Sequence, residues 1–202
     1  MSANKGKIGV LIEEHFDPTE YLRFNEYFPK QGYQVEYLSH LWGNTELRFG
    51  SNPEGEKVDH FVTVSTEVND VNLLDYKGIL LIGGYAMDRL RYESKPMPGE
   101  PNKAPAVEFL RRAMDPVNQG KLKIGTICHS LWLFCAAPEL IRGRKVTCAH
   151  NIICDMVNAG AEVVYGDEGT TNLVIDGGLI TGKHPGMVDE FMVAFVQELE
   201  KM

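Results

Sequence analysis

An α/β fold with a mostly parallel sheet and helices on both faces is predicted for this 202-residue chain by three observations. Short apolar runs rich in Val, Ile and Leu alternate with segments of helical period, so that strand and helix follow one another along the chain. Those runs are near-continuously apolar, as strands covered on both faces are. Glycine, proline and Asx residues punctuate the boundaries between them.

Taken in order, residues 7–12 read as a buried parallel strand, and residues 18–30 as a helix with Asp17 at its N-cap and Pro18 in its opening turn. Residues 34–38 and 61–65 read as strands, residues 70–75 as a short helical turn, and residues 78–82 as a central strand that stops on Gly83-Gly84. A helix carrying residues 106–114 leads to the apolar strand 122–127, and residues 130–137 resume a helical period. Residues 145–148 form a further short strand, and residues 152–158 a helix closed by Gly160. Strands follow at 162–165, 172–175 and 179–181, the last two joined by the turn signal Asp176-Gly177-Gly178. An amphipathic helix over 187–200 ends the pattern. Two segments, 42–60 and the proline-rich 92–105, fit no regular element and read as lids, partner-contact loops or irregular chain.

Length suits one domain, residues 1–202, with a core large enough to need no staples. A net charge of −8 with scattered basic residues disfavours nucleic acid and anionic membranes as partners. The opening residues are polar and the first apolar run is too short for a signal or a membrane span, so a soluble, cytoplasmic protein is expected. Four cysteines contain no C-x-x-C pair, and reduced thiols are expected.

One of those cysteines stands apart. Cys128 ends the apolar strand and is followed at once by helix-period sequence, a strand-to-helix turn that points a side chain outward at the sheet's carboxyl edge. A helix N-terminus there lowers a thiol pKa, and His129 is adjacent, so Cys128 reads as a reactive nucleophile. Cys135, Cys148 and Cys154 read as inert small hydrophobes.

Ile127-Cys128-His129, the upstream Gly83-Gly84, and the downstream Arg142-Gly143-Arg144-Lys145-Val146-Thr147, Asn158-Ala159-Gly160-Ala161, Asp176-Gly177 and Lys183-His184-Pro185-Gly186 together resemble the ThiJ/PfpI superfamily. The resemblance covers nearly the whole chain; each motif is weak alone, and their order and spacing are specific. It implies a flavodoxin-like sandwich and a cysteine-centred site with Cys128 as nucleophile. It places the family's acid on Glu20, one turn into the first helix, where a protonated carboxyl can donate to the thiolate. It implies that His129 is oriented by an acidic residue after the glycine pair, supplied by a neighbouring subunit. That position is Asp88, with aspartate in place of the more usual glutamate.

Gly83 and Gly84, at the same sheet edge as Cys128, offer backbone N–H groups for an oxyanion. His184 is an alternative base, at the place where related glutamine amidotransferases carry a histidine followed two residues on by glutamate. Here Gly186 removes that glutamate, and Thr126 and Ser130 replace the two glycines of the amidotransferase elbow, which disfavours that activity. His150 is a further candidate for the pocket wall. Cys128, His129, His150 and His184 are ligand types for zinc, but no pair has metal-motif spacing, so neither metal nor cofactor is expected. Trp42 and Trp132 read as packing residues.

The expected activity is cysteine-dependent chemistry on a small carbonyl compound or amide, glyoxalase- or deglycase-like or PfpI-like hydrolytic, in a homo-oligomer. The rival is a redox-sensing or stress-response protein that works by oxidation of Cys128.

Overall fold

In the computed structural model, which describes residues 4–53 and 57–202, seven strands form the central sheet. In chain order these are β1 (Gly6–Leu11), β2 (Tyr33–Ser39), β3 (Thr66–Glu67), β4 (Tyr76–Leu81), β5 (Lys123–Ile127), β6 (Leu173–Asp176) and β7 (Leu179–Gly182). Their spatial order is β6-β7-β5-β4-β1-β2-β3, parallel except for the antiparallel β6–β7 edge pair.

The connections run outward in opposite directions from the middle of the sheet. From β1 the chain passes through α1 (Pro18–Lys30) to β2 on one side, and from β4 through α2 (Ala86–Leu90) and α3 (Pro105–Asn118) to β5 on the other. Right-handed crossovers in opposite directions place those helices on opposite faces. The carboxyl ends of β1 and β4 therefore flank the topological switch point, where open α/β sheets hold their ligands. The remaining helices are α4 (Trp132–Cys135), α5 (Ile153–Asn158) and α6 (Val188–Leu199).

The start of α1 is built as its sequence dictates. The Asp17 side chain accepts the Glu20 N–H at 2.9 Å, and Pro18, which has no N–H to leave unpaired, opens the helix. Phe24 and Phe28 of α1 pack against Phe191 and Phe195 of α6 with ring centroids 6.5 and 6.2 Å apart. Two strand glycines make room for this layer. A Cβ on Gly78 would come within 2.6 Å of the Phe195 ring, and one on Gly125 within 2.8 Å of Phe191 and 2.5 Å of Leu80.

One expectation fails in the segment 42–60, which was to be irregular. Leu47–Gly50 is a strand, paired antiparallel with Phe61–Val64 in a two-stranded sheet outside the main one. Four residues with a single alternation are too short a signal to read, and the pair is held in part by Arg48, whose guanidinium lies 4.0 Å from the Phe61 ring centre. Residues 92–104 carry no regular element, and α3 begins at Pro105. The elbow helix is also shorter than its sequence suggests: turns occupy residues 128–131 and α4 spans four residues.

Gly125→Val is expected to destabilise the protein by about 1–3 kcal/mol, because the added methyls meet Leu80 and Phe191 in a filled core. Urea denaturation measures this, and a shift under about 0.5 kcal/mol would show that the layer yields.

Candidate active site

Cys128 follows β5 and takes φ +61°, a left-handed conformation that residues with a Cβ rarely adopt. The strain is over-determined locally. Cys128 N–H donates to the Gly182 carbonyl of β7 at 3.0 Å, and the Ser130 hydroxyl accepts the Ile127 N–H at 2.8 Å, closing the turn under the sulfur. The result is an elbow that holds the thiol at the sheet's carboxyl edge, 5 % exposed, in a pocket of about 250 Å³. Its wall includes Asp17, Asn52, Gly84, Tyr85, His129 and Asn151.

Beneath the sulfur lies Glu20, fully buried. Its Oε2 accepts the Gly83 N–H at 2.6 Å, and its Oε1, also buried, has no partner. Glu20 Oε1 and Cys128 Cβ crowd the same point: a Cβ on Gly83 would stand 2.5 Å from the first and 3.0 Å from the second. Burial, and then the neighbouring Asp17 carboxylate, push the Glu20 carboxyl well above the usual carboxylate range, against the opposing Gly83 hydrogen bond. The neutral form of Glu20 is therefore favoured, with its unpartnered Oε1 on the side of Cys128.

This arrangement corrects the reading of the glycine pair. The Gly83 N–H is already committed to Glu20 and does not serve an oxyanion. The amides that act on the sulfur are those of Gly84 and His129, both of which favour the charged form of Cys128. Gly84 is at φ +74°, and a Cβ there would collide with the His15 carbonyl oxygen, so only glycine presents its N–H in this place. The amide of the residue after the nucleophile plus one from a neighbouring strand end is an oxyanion arrangement.

The expected depression of the Cys128 pKa does not appear. Burial pushes the thiol above its ordinary range, and the carboxyl charges of Glu20 and Asp17 add to this, outweighing the two amides. A four-residue α4 that begins four positions later contributes little dipole. One feature acts against this when the sulfur reacts: His129 Nδ1 stands 3.0 Å from Sγ, ready to take the proton. Burial holds His129 below its usual value, hence neutral and able to accept. Cys135 and Cys148 are pushed up by burial to about 11 and about 12.

His129 lies on an aromatic shelf that the sequence did not reveal. Its ring is 5.8 Å from Tyr85 and 5.0 Å from Trp132, and Trp132 is fixed by its indole N–H donating to Asp155 at 2.9 Å. The far ring nitrogen, Nε2, is buried without a hydrogen-bond partner, and the Asn151 side chain favours the charged imidazole. Asp88 is elsewhere. Within the protomer it sits on α2 with its carboxylate held by Arg91 at 2.6 Å, and it lines a different cavity with Trp42, Arg89 and Tyr92. A residue three positions from an arginine on one helix turn is captured by it, which spacing alone makes plausible but tertiary context decides.

His150 and His184 both line the Cys128 pocket. The role of His184 as a base is corrected: its Nδ1 accepts the Gly186 N–H at 3.0 Å, which leaves the proton on Nε2. Among the described residues no group of three or more His, Cys, Asp or Glu side chains gathers to hold a metal. Tyr85, Asn52 and Asn151 went unnoticed in the sequence; the only available signal was that Tyr85 and Asn151 each adjoin a residue already singled out.

Residues 6–198 match the model of the DJ-1/PfpI family. The chain belongs to that family. It is 32 % identical to protein/nucleic acid deglycase 2 of Escherichia coli over 156 residues, 77 % of this chain and 78 % of that one. It is 28 % identical over 194 residues to deglycase PfpI of Pyrococcus furiosus, covering 96 % and 99 %, and 28 % identical over 195 residues to general stress protein 18 of Bacillus subtilis, covering 96 % and 98 %. Among solved structures, a two-domain protein with DJ-1/ThiJ/PfpI-like and ferritin-like domains from Anabaena variabilis superposes with a TM-score of 0.77 at 26 % identity. The match covers 97 % of this chain, which spans about half the length of that protein (48 %). A ThiJ/PfpI domain protein from Brachyspira murdochii, 15 % identical, shares the fold with a TM-score of 0.77 over 100 % of this chain and 99 % of its own.

A buried acid whose folded pKa is raised contributes its full stability below the unfolded value and loses it as pH climbs toward the folded one. Wild-type protein is therefore expected to lose stability relative to Glu20→Gln as pH rises from about 4.3, since glutamine mimics the protonated carboxyl at every pH. Urea denaturation at several pH values follows the difference; parallel curves would mean that Glu20 is ionised in the fold.

Proposed function

We propose that this protein is a cysteine-dependent enzyme acting on small carbonyl compounds or amides, with Cys128 as nucleophile and His129 as base. The observation that carries the reading is the 3.0 Å contact between Cys128 Sγ and His129 Nδ1, with two amides converging on the same sulfur. With an aldehyde, the sulfur bonds to the carbonyl carbon and its proton passes to Nδ1. The carbonyl oxygen takes the negative charge between the Gly84 and His129 N–H groups and then recovers the proton, giving a hemithioacetal. Deglycase activity in the named relatives supports carbonyl chemistry, and a putative cysteine protease of Bacillus subtilis, 27 % identical over 185 residues, supports the amide branch.

In this reading His129 needs a partner on Nε2 to hold the imidazolium that forms. Asn151, which lines the same pocket and favours the charged imidazole, is suited to that role in a Cys-His-Asn arrangement within one chain. A carboxylate from a second copy reaches a buried Nε2 only by displacing what covers it, so Asp88 ranks below Asn151. We infer a homo-oligomer, at least a dimer, on other grounds: Trp42, Tyr85 and Tyr92 are 42 %, 50 % and 59 % exposed and flank α2, an apolar face of the kind that partners cover. No described helix is long and apolar enough to cross a membrane.

A second reading rests on the protonated Glu20 and the two amides, which would hold a Cys128 sulfinate as readily as a thiolate and so suit a redox sensor. Turnover separates the two. With methylglyoxal, Cys128→Ser and His129→Ala are expected to abolish activity and Asn151→Ala to lower kcat about 10–100-fold through misorientation of the base. Wild-type protein that forms a stable sulfinate by intact mass but turns over neither 2-oxoaldehydes nor small amides would favour sensing.

A further inference from the structure

The Cys128 pocket is electrically lopsided, and its polarity follows from strand order. Asp17 and Glu20 enter after β1, on one side of Cys128. His184 enters after β7 on the other side, joined by His150 and Asn151 from the turn before α5. Both imidazoles are close enough to His129 to disfavour its charged form, so the three rings share one site.

His184 is fixed by its own backbone. With Nδ1 accepting from Gly186 at 3.0 Å, Nε2 carries the hydrogen, and the ring is a donor whether neutral or charged. As a base for Cys128 it has no free lone pair, so the mechanism leaves it without work, as it does His150. Asn151 adds an amide at the same end. Among the lining residues no lysine or arginine is present, so any anion taken here is held by imidazole and amide N–H groups. Asp17, across the sulfur, repels negative charge from its own side and orients an asymmetric ligand accordingly.

We propose that His184 and His150 form a carboxylate-recognising subsite of this pocket, so that the substrate is a small carbonyl compound bearing a carboxylate. The reacting carbonyl lies at Cys128 between the two amides, and the carboxylate accepts from the His184 and His150 rings. A pocket of about 250 Å³ limits the rest of the molecule to a few carbons. The inference rests on Cys128 as nucleophile, but its test does not depend on turnover.

Iodoacetate and iodoacetamide are near-isosteric reagents, one bearing a carboxylate and the other a carboxamide on the carbon that sulfur attacks. The ratio of their Cys128 alkylation rates in the native protein, read by peptide mass spectrometry against the same ratio for 2-mercaptoethanol, reports recognition of the charge and cancels the reactivity of the sulfur. A ratio raised about tenfold is expected for a charge-assisted hydrogen bond, against the general repulsion of an anion by a chain of net charge −8. His184→Asn and His150→Asn should each lower it, and a ratio no higher than that of 2-mercaptoethanol in wild type overturns the subsite. A Cys128 inert to both reagents would sink the nucleophile reading instead. The subsite is then judged by lactate, which should shift the His150 and His184 ring resonances in NMR spectra while 1,2-propanediol does not; no shift with lactate overturns it.

Discussion

The hydrogen bond from Gly83 N–H to Glu20 Oε2, 2.6 Å long and wholly buried, is the contact on which the rest of the site depends. It ties the first turn of α1 to the end of β4, across the topological switch point. It satisfies one oxygen and leaves the other unpartnered on the side of Cys128, and burial, acting against this bond, holds the acid above the usual carboxylate range. An ionised carboxylate in that position, buried and next to Asp17, would be costly, and the neutral form avoids that cost. Gly83 cannot be replaced without displacing Glu20, and Gly84 is left to turn its amide toward the sulfur.

From this follows a nucleophile that is quiet at rest. Burial keeps the Cys128 thiol protonated, and burial keeps His129 neutral. Charge separates between them only when a carbonyl oxygen arrives to take up the negative end, between amides already in position. The backbone strain at Cys128, φ +61°, is what brings the sulfur within 3.0 Å of a ring on the next residue, a contact that a regular helix or strand does not permit. The aromatic shelf of Tyr85 and Trp132 restricts the ring, and the Asn151 side chain favours its charged form.

Strand and helix order was legible in the chain because buried parallel strands advertise themselves as unbroken apolar runs, and the first helix because Asp17-Pro18 is a strong start signal. The elbow at Cys128 was legible for the same reason. What was not legible depends on contacts between distant elements. Nothing near Gly83 in sequence reveals that Glu20, 63 residues away, takes its N–H. Nothing in Lys183-His184-Pro185-Gly186 reveals that Gly186 folds back to occupy the imidazole. Asp88 was placed by resemblance to a subunit interface, while its position in one chain is set by Arg91 and the turn of α2. The Leu47–Gly50 strand is only four residues long and pairs outside the main sheet, so it leaves no periodic trace.

The central claim is that a protonated Glu20 donates to the Cys128 thiolate. The pH dependence of Cys128 alkylation by iodoacetamide, compared between wild type and Glu20→Leu, tests it most directly. Leucine keeps the site apolar and removes the donor, so the account predicts that the apparent Cys128 pKa rises in the variant. An unchanged or lower value in folded Glu20→Leu would mean that Glu20 opposes the thiolate as a buried charge, and the account would be wrong at its base.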